Sequence, residues 1–488
     1  MMNKNSSYWL SQGAWQQVAA VKNGHFSARA LVEASLVAAE KNCALNAIIS
    51  LDPNGARDTA DRLDRGSDKS VALPLAGLPI VVKDNIASAR LPTTGATRAL
   101  QRFQANRNAP SLQRLLDAGA ILIGKANLHE LASGATCVGT SSFPGSVRNP
   151  HALHCFAGGS SGGTAAAIAS GIVSAGLGTD TGGSLRIPAA LTGIVGFRPT
   201  HHRLSKQCRY DSRGLLPISP HHDTVGPMAR SVSDIRLLDH VLSGRPMAKG
   251  RATLRGKRFG ISSWAWEPMS EEVRIPMYRA LERLAQAGVE LVDIDLKELD
   301  VLNEKVSPII NLYEPLASIP DFLRDYGREL WMRELTLDVV VEQMAGQEGR
   351  DMFERTLAGA TAQQYTEAIS RHSPALTQYF VRKFRDHRLD AICLPTTLFS
   401  AREIDRPADE CLKIGERIVS RFEGYIRNTT PISSAGLPSV SIPGGNTDVG
   451  LPVGLELAAN LEEDEELLVL AESVAQYLRE VVDTPLPG

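Results

Sequence analysis

The sequence predicts an α/β protein, one large domain whose central sheet is covered by helices on both faces. Two observations predict it. Short apolar runs bounded by Pro and Gly alternate along the chain with segments whose apolar residues recur at helical spacing, so strands and helices are laid down in turn. A helix–Gly–strand grammar also recurs, at SLQRLLDAG then AILIGKAN (111–127) and again at MYRALERLAQAG then VELVDIDL (277–296).

The elements follow in order. Residues 27–45 form a helix with Ser27 as its N-cap, and AIISL (47–51) forms a short strand. In PLAGLPIVVKDNI (74–86) the Pro and Gly punctuation precedes a buried strand that ends near Lys83. The Ala-rich segment 164–175 opens as a helix, whereas NPHALHCF (149–156) is a poor strand. HRLDAICLPTT (387–397) reads as a further strand. Residues 297–385 are more polar and largely helical, suited to a cap over the core. Two stretches, 246–258 and 400–410, read as connections, and no repeat of fixed period is apparent.

Composition excludes several classes of function. The 488 residues carry 52 Lys+Arg against 54 Asp+Glu, a net charge of −2, with 43% hydrophobic and 22% charged residues. That balance fits a folded globular chain rather than a disordered one. It also lacks the basic excess of a protein that holds nucleic acid by bulk charge. The six cysteines (43, 137, 155, 208, 393, 411) contain no CxxC pair and are expected as reduced, mostly buried thiols. With no apolar signal segment at the N-terminus, a cytoplasmic setting is expected. Residues 149–179 contain no Asp, Glu, Lys or Arg, but their Gly, Ser and Ala content would insert poorly into a membrane and implies backbone packed inside protein.

Three features carry chemistry. Lys83 follows Val81 and Val82, and burial there would lower its pKa; a surface lysine paired with Asp84 is the alternative. Gly158-Gly159-Ser160-Ser161-Gly162-Gly163 places hydroxyls at the start of a helix. A phosphate loop is a weak competitor because no GK[ST] follows, and Gly158-x-Ser160-x-Gly162 fits a nucleophile elbow formally. In Gly178-Thr179-Asp180-Thr181-Gly182-Gly183-Ser184-Leu185-Arg186, a serine follows a turn whose successive amides could converge on one anionic oxygen. Asp180 and Arg186 bracket that turn as a buried ion pair.

Jointly the three resemble the amidase signature family. GLPIVVKDNI (77–86), GGSSGGTAAAIASG (158–171) and GTDTGGSLRIPAALTGIVGFRPT (178–200) are close to its hallmark blocks, and the resemblance extends to 124–134, 223–234 and 433–457. It implies a mixed central sheet and a single domain spanning 1–488, with catalytic core blocks in 76–245, a divergent, substrate-shaping segment in 246–400 and a C-terminal return to the core in 401–488. It further implies Lys83 as the catalytic base, Ser160 as a bridging serine after a cis peptide bond, and Ser184 as the acylated nucleophile. The amides of Thr181, Gly182, Gly183 and Ser184 would form the oxyanion hole, with Ser161, Asp180 and Arg186 in support. No cofactor or metal is implied.

NLHELASGAT (127–136) and CFAGGSSGG (155–163) look most like stand-alone amidases of the arylacetamide type, such as indoleacetamide or mandelamide hydrolases. The expected partner is a small-molecule amide, with neither nucleic acid nor membrane; a homodimer is compatible with the resemblance. Two alternatives are a glutaminase or amidotransferase A-type subunit acting with partner subunits, and a hydrolase of urea-derived amides. Ile187 and Phe197-Arg198 depart from the amidotransferase pattern. LYEPLASIPDFL (312–323) would suit an apolar acyl pocket. The tandem pairs His201-His202 and His221-His222 sit in polar, turn-like sequence, and exposed or loosely substrate-facing histidines are expected; His129-Glu130 lacks the second His of a zinc HExxH motif.

Overall fold

A computed structural model of the chain describes residues 4–66, 73–139, 143–202, 207–248, 250–359, 361–407 and 410–482. Its centre is an eleven-stranded sheet. In chain order the strands are β1 (Ile48–Leu51), β2 (Pro79–Lys83), β3 (Ile121–Ala126), β4 (Ala175–Asp180), β5 (Val195–Arg198), β6 (Thr224–Ala229), β7 (Arg258–Ile261), β8 (Glu290–Asp293), β9 (Ala391–Pro395), β10 (Ser439–Asn446) and β11 (Pro452–Ala458). Their spatial order is β1-β3-β2-β4-β6-β5-β10-β11-β9-β7-β8. The sheet is mixed: β2 runs parallel to both β3 and β4, and β7 parallel to β8 and β9, while the central strands from β4 through β11 pair antiparallel.

Helices cover both faces, as the alternation along β2 makes visible. Val81 packs in one apolar cluster with Ala165, Ile168, Leu185 and Ala189, whereas Ile80 and Val82 belong to another with Val225, Ile235 and Leu238. Successive side chains of a strand point to opposite faces, so β2 is buried on both sides, as a strand with parallel neighbours usually is. Residues 246–400 do more than cap the core: they supply β7, β8 and β9, and helices between β8 and β9 line the cavity described below. The Ala-rich stretch divides into helix Gly162–Ala169 and, beginning at Ala175, strand β4.

Local expectations are met where local chemistry suffices. Ser27 caps helix Ala28–Lys41 by accepting from the Ala30 amide at 3.1 Å. The 111–127 pattern folds as helix Pro110–Asp117 and β3. Ala152–Phe156 is a strand after all, though only in a two-stranded ribbon with Arg148–Asn149.

Two expectations are corrected. Cys43, Cys208 and Cys411 are exposed, and only Cys137, Cys155 and Cys393 are buried. Cys208 and Cys411 lie on small two-stranded ribbons outside the main sheet, and on the Cys411 ribbon exposed and buried side chains alternate, with Cys411 on the exposed side. The tandem histidines are not exposed: His201, His221 and His222 are buried and His202 is half-buried. They sit where the core meets its helical cap. His222 Nδ1 meets Asn311 Oδ1 at 2.9 Å, His221 Nε2 meets Ser373 Oγ at 3.2 Å, and His202 Nε2 meets Thr377 Oγ1 at 3.4 Å. Polar sequence there marks hydrogen-bonded burial rather than solvent.

Gly163 allows the helix that follows the serine pair to approach the sheet. A Cβ at that position would lie 2.3 Å from the Asn127 carbonyl oxygen and 2.5 Å from that of Ala47, both backbone atoms. Gly163→Ala is therefore expected to cost about 1–3 kcal/mol through overpacking, read as a lower midpoint in denaturant unfolding.

Candidate active site

Lys83 is the last residue of β2 and is fully buried. Its Nζ lies 2.7 Å from Ser160 Oγ and 2.8 Å from Thr179 Oγ1. Asn85 Nδ2 also donates to Thr179 Oγ1, at 3.1 Å. Among the described residues no carboxylate pairs with Lys83. The neighbouring Asp84 is committed elsewhere: it forms a fully buried ion pair with Lys125 at 2.9 Å. The surface pairing of Lys83 with Asp84 is thus replaced by a lysine among hydroxyls. Burial lowers its pKa to about 7; Cys137, Asp180 and Asp223 raise it only through longer-range attraction.

Ser160 follows a cis peptide bond from Gly159 and is fully buried, its carbonyl accepting from the His129 amide at 3.2 Å. Ser161 ties the serine loop to β4 and to the nucleophile turn. Its hydroxyl donates to the Thr179 carbonyl at 3.1 Å and accepts from the Thr179 amide at 3.3 Å, while its amide donates to the Ser184 carbonyl at 3.2 Å. Burial also holds the His129 imidazole neutral, at a pKa of about 4.

Ser184 stands on the turn between β4 and helix Arg186–Thr192, half-buried, at the wall of a cavity of about 410 Å³. Asp180 builds this turn from inside. It accepts the amides of Gly183 (3.0 Å) and Leu185 (3.1 Å) and pairs with Arg186 (3.2 Å) and Arg198 (3.0 Å), and Ser433 donates to it at 2.9 Å. Burial alone would raise the Asp180 pKa, but the two guanidinium groups outweigh it and hold the carboxylate ionised, far below its usual range. Arg186 also pairs with Glu456 of β11 at 2.5 Å. On the opposite side, the hydroxyls of Thr429 and Thr430 donate to the Gly182 carbonyl at 2.6 and 3.1 Å. Since C=O and N–H of one trans peptide point in opposite directions, the Gly183 amide turns toward Asp180. The amides of Thr181, Gly182 and Ser184 engage no acceptor among the described residues.

The structure therefore brings Lys83, Ser160, Ser161, Asp180, Ser184 and Arg186 into one connected site. Sequence reasoning did not single out Thr179, Asn85, Arg198, Glu456, Ser433 or the Thr429–Thr430 pair. Arg198 and Glu456 fall inside the recognised blocks, but nothing local in either marks its partner. Of the segment 312–323 only Leu312 lines the cavity; Ile319, Phe322 and Leu323 are ordinary core. The apolar wall is instead made by Ile218, Met352, Phe422, Ile426 and Pro431, and Asn303, Ser307 and Asn311 add a polar stripe. Among the described residues no group of three or more His, Cys, Asp or Glu is arranged to hold a metal ion, and no helix is long and apolar enough to cross a membrane.

Residues 30–468 match the family described as Amidase. Mandelamide hydrolase of Pseudomonas putida is 37% identical, over 94% of this chain and 90% of that protein. Indoleacetamide hydrolase of Agrobacterium vitis is 34% identical, over 95% and 96%. A crystal structure of an amidase superposes with a TM-score of 0.83 at 30% identity, covering 95% of this chain and 99% of the other. Matched along nearly its whole length, the chain belongs to the amidase family, the amidase signature enzymes, and is an amidohydrolase acting on carbon–nitrogen bonds.

Proposed function

We propose that this amidohydrolase cleaves a primary amide with an arylacetamide-like acyl group, giving the acid and ammonia through an acyl-enzyme on Ser184. The observation that carries the reading is the buried amine of Lys83, 2.7 Å from a serine hydroxyl and paired with no carboxylate among the described residues. An ammonium ion there would lack the counter-charge that burial demands, so the neutral amine is favoured and can act as a base. Lys83 takes the Ser160 proton as Ser160 takes that of Ser184, and Ser184 Oγ attacks the amide carbon. The oxyanion is received by the amides of Thr181, Gly182 and Ser184, with Gly183 supplying the turn. The proton returns along the relay to the departing nitrogen, the C–N bond breaks and ammonia leaves. Water then attacks the ester by the same relay, and the acid departs with Ser184 restored.

The apolar wall of the cavity supports an aromatic acyl group, as do the substrates named for the two hydrolases similar to this chain. The test is ammonia release by the purified chain alone from a panel of aryl and aliphatic primary amides. Arylacetamides are expected to be turned over without any partner subunit; strict dependence on a partner would favour an amidotransferase subunit.

Ser184→Ala is expected to lower kcat about 10⁴-fold or more, with Ser160→Ala and Lys83→Ala also severe because each breaks the same relay. A fluorophosphonate should label Ser184; mass spectrometry finding the adduct elsewhere would overturn the assignment.

The pH dependence has a definite sign. The active form of Lys83 is unprotonated, so log kcat/KM should rise with unit slope up to about pH 7 and level off above it. Burial pushes the Asp223 carboxyl up to about 7 as well, and Asp223→Asn separates the two: the limb persists in this variant if Lys83 owns it.

A further inference from the structure

The nucleophile turn is braced on a third side by a carboxylate that lies outside the relay. Asp223, immediately before β6, is buried and pairs with no cation among the described residues. Three neutral donors converge on it. The Thr181 hydroxyl donates to Oδ1 at 2.5 Å, and the amides of Ile218 and Ser219 donate to Oδ2 at 2.9 and 3.0 Å. Ile218 is part of the cavity wall. Ser219 and His221 continue the connection outward, since the Ser219 hydroxyl and the His221 amide both donate to Glu314 Oε2, at 2.7 and 3.0 Å. Glu314 Oε1 in turn accepts from Tyr365 at 2.8 Å, within the helical cap.

A buried carboxylate without a cation is costly, and hydrogen bonds from fixed donors are what make it tolerable. Here one of those donors belongs to the turn and another, the Ile218 amide, to the cavity wall. Asp180 fixes the Gly183–Leu185 end of the turn, and Thr429 and Thr430 fix its middle. Among the described side chains only that of Asp223 holds the Thr181 hydroxyl.

We propose that Asp223 is a positioning residue for acyl transfer: through the Thr181 hydroxyl it sets the aim of the first oxyanion-hole amides and locks that aim to the cavity wall. The inference rests on the acyl-enzyme reading of Ser184. Stabilisation of an oxyanion depends on donors already placed where charge develops, and losing one such donor outright costs about 10²–10³-fold in kcat. A donor that is loosened rather than removed costs less. Ground-state binding, which depends on the cavity walls, does not share that loss.

The experiment compares wild type, Thr181→Val, Thr181→Ser and Asp223→Asn as purified full-length chains. Two inhibitors are used: an arylalkyl boronic acid, which forms a tetrahedral adduct with a serine, and the product-like arylacetic acid, which does not. Thr181→Val is expected to lose about 10–100-fold in kcat with KM within about threefold, and to bind the boronic acid weaker by a similar factor. Its affinity for the carboxylic acid should stay within about threefold, and Thr181→Ser, which keeps the hydroxyl, should recover most of the loss. The double variant Thr181→Val/Asp223→Asn should be no worse than the poorer single variant, because both act on the same Thr181–Asp223 hydrogen bond. Equal weakening of both inhibitors in Thr181→Val, or boronic acid affinity within twofold of wild type, would overturn the proposal. A wild-type enzyme that does not bind the boronic acid would overturn the acyl-enzyme reading itself, and this inference with it. Thr181→Val keeps the test decisive even if Asp223→Asn fails to fold.

Discussion

The site depends on one buried amine whose direct partners are hydroxyls and not a carboxylate. A lysine in a protein interior stays an ammonium ion if a carboxylate lies against it, and an ammonium ion cannot accept a proton. Asp84, Asp180 and Asp223 are each already occupied, Asp223 by the Thr181 hydroxyl and the amides of Ile218 and Ser219. Asp84, next in sequence, is turned onto Lys125, and Asp180 is held by Arg186 and Arg198. Lys83 is left with the hydroxyls of Ser160 and Thr179. The ion pairs around the site thus divert charge from the lysine, which explains why so many fully buried ionic groups cluster at one end of the sheet.

Those groups also fix geometry. Buried ion pairs contribute little net stability, because desolvation offsets their attraction, so the density around Asp180 needs another reason. Asp180 holds two successive turn amides while Arg186 reaches across to Glu456 of β11 and Arg198 reaches back to Asp180. The nucleophile turn is thereby joined to the centre of the sheet, the most rigid platform available. The threonines at 429 and 430 complete the arrangement by holding the Gly182 carbonyl. A turn held from several sides keeps its amides in place as charge develops, so little reorganisation is needed during reaction.

Much of this was legible before any coordinates. The Gly-Ser blocks, the lysine at a strand end and the Ser after a Thr-Gly-Gly turn carry their chemistry in residue type and spacing, and the family resemblance joined them. The polar segments are less legible. The histidine pairs at 201–202 and 221–222 look like surface, yet they are covered by the cap. The apolar stripe at 312–323 looks like a pocket, yet only Leu312 of it lines the cavity. In both cases hydropathy reports how a residue would partition, and cannot say which element will be laid over it.

The sequence by itself determined the elements and the reacting groups, because strand period, helix caps and glycine turns act over a few residues. Tertiary structure alone decided which charge meets which. Lys83 finds Ser160 across 77 positions and Arg186 finds Glu456 across 270. The strand order that brings them together is set by burial of whole faces, so no local signal announces the pairing. The same holds for Asp223: it looks like any residue before a strand until the fold places Thr181 against it.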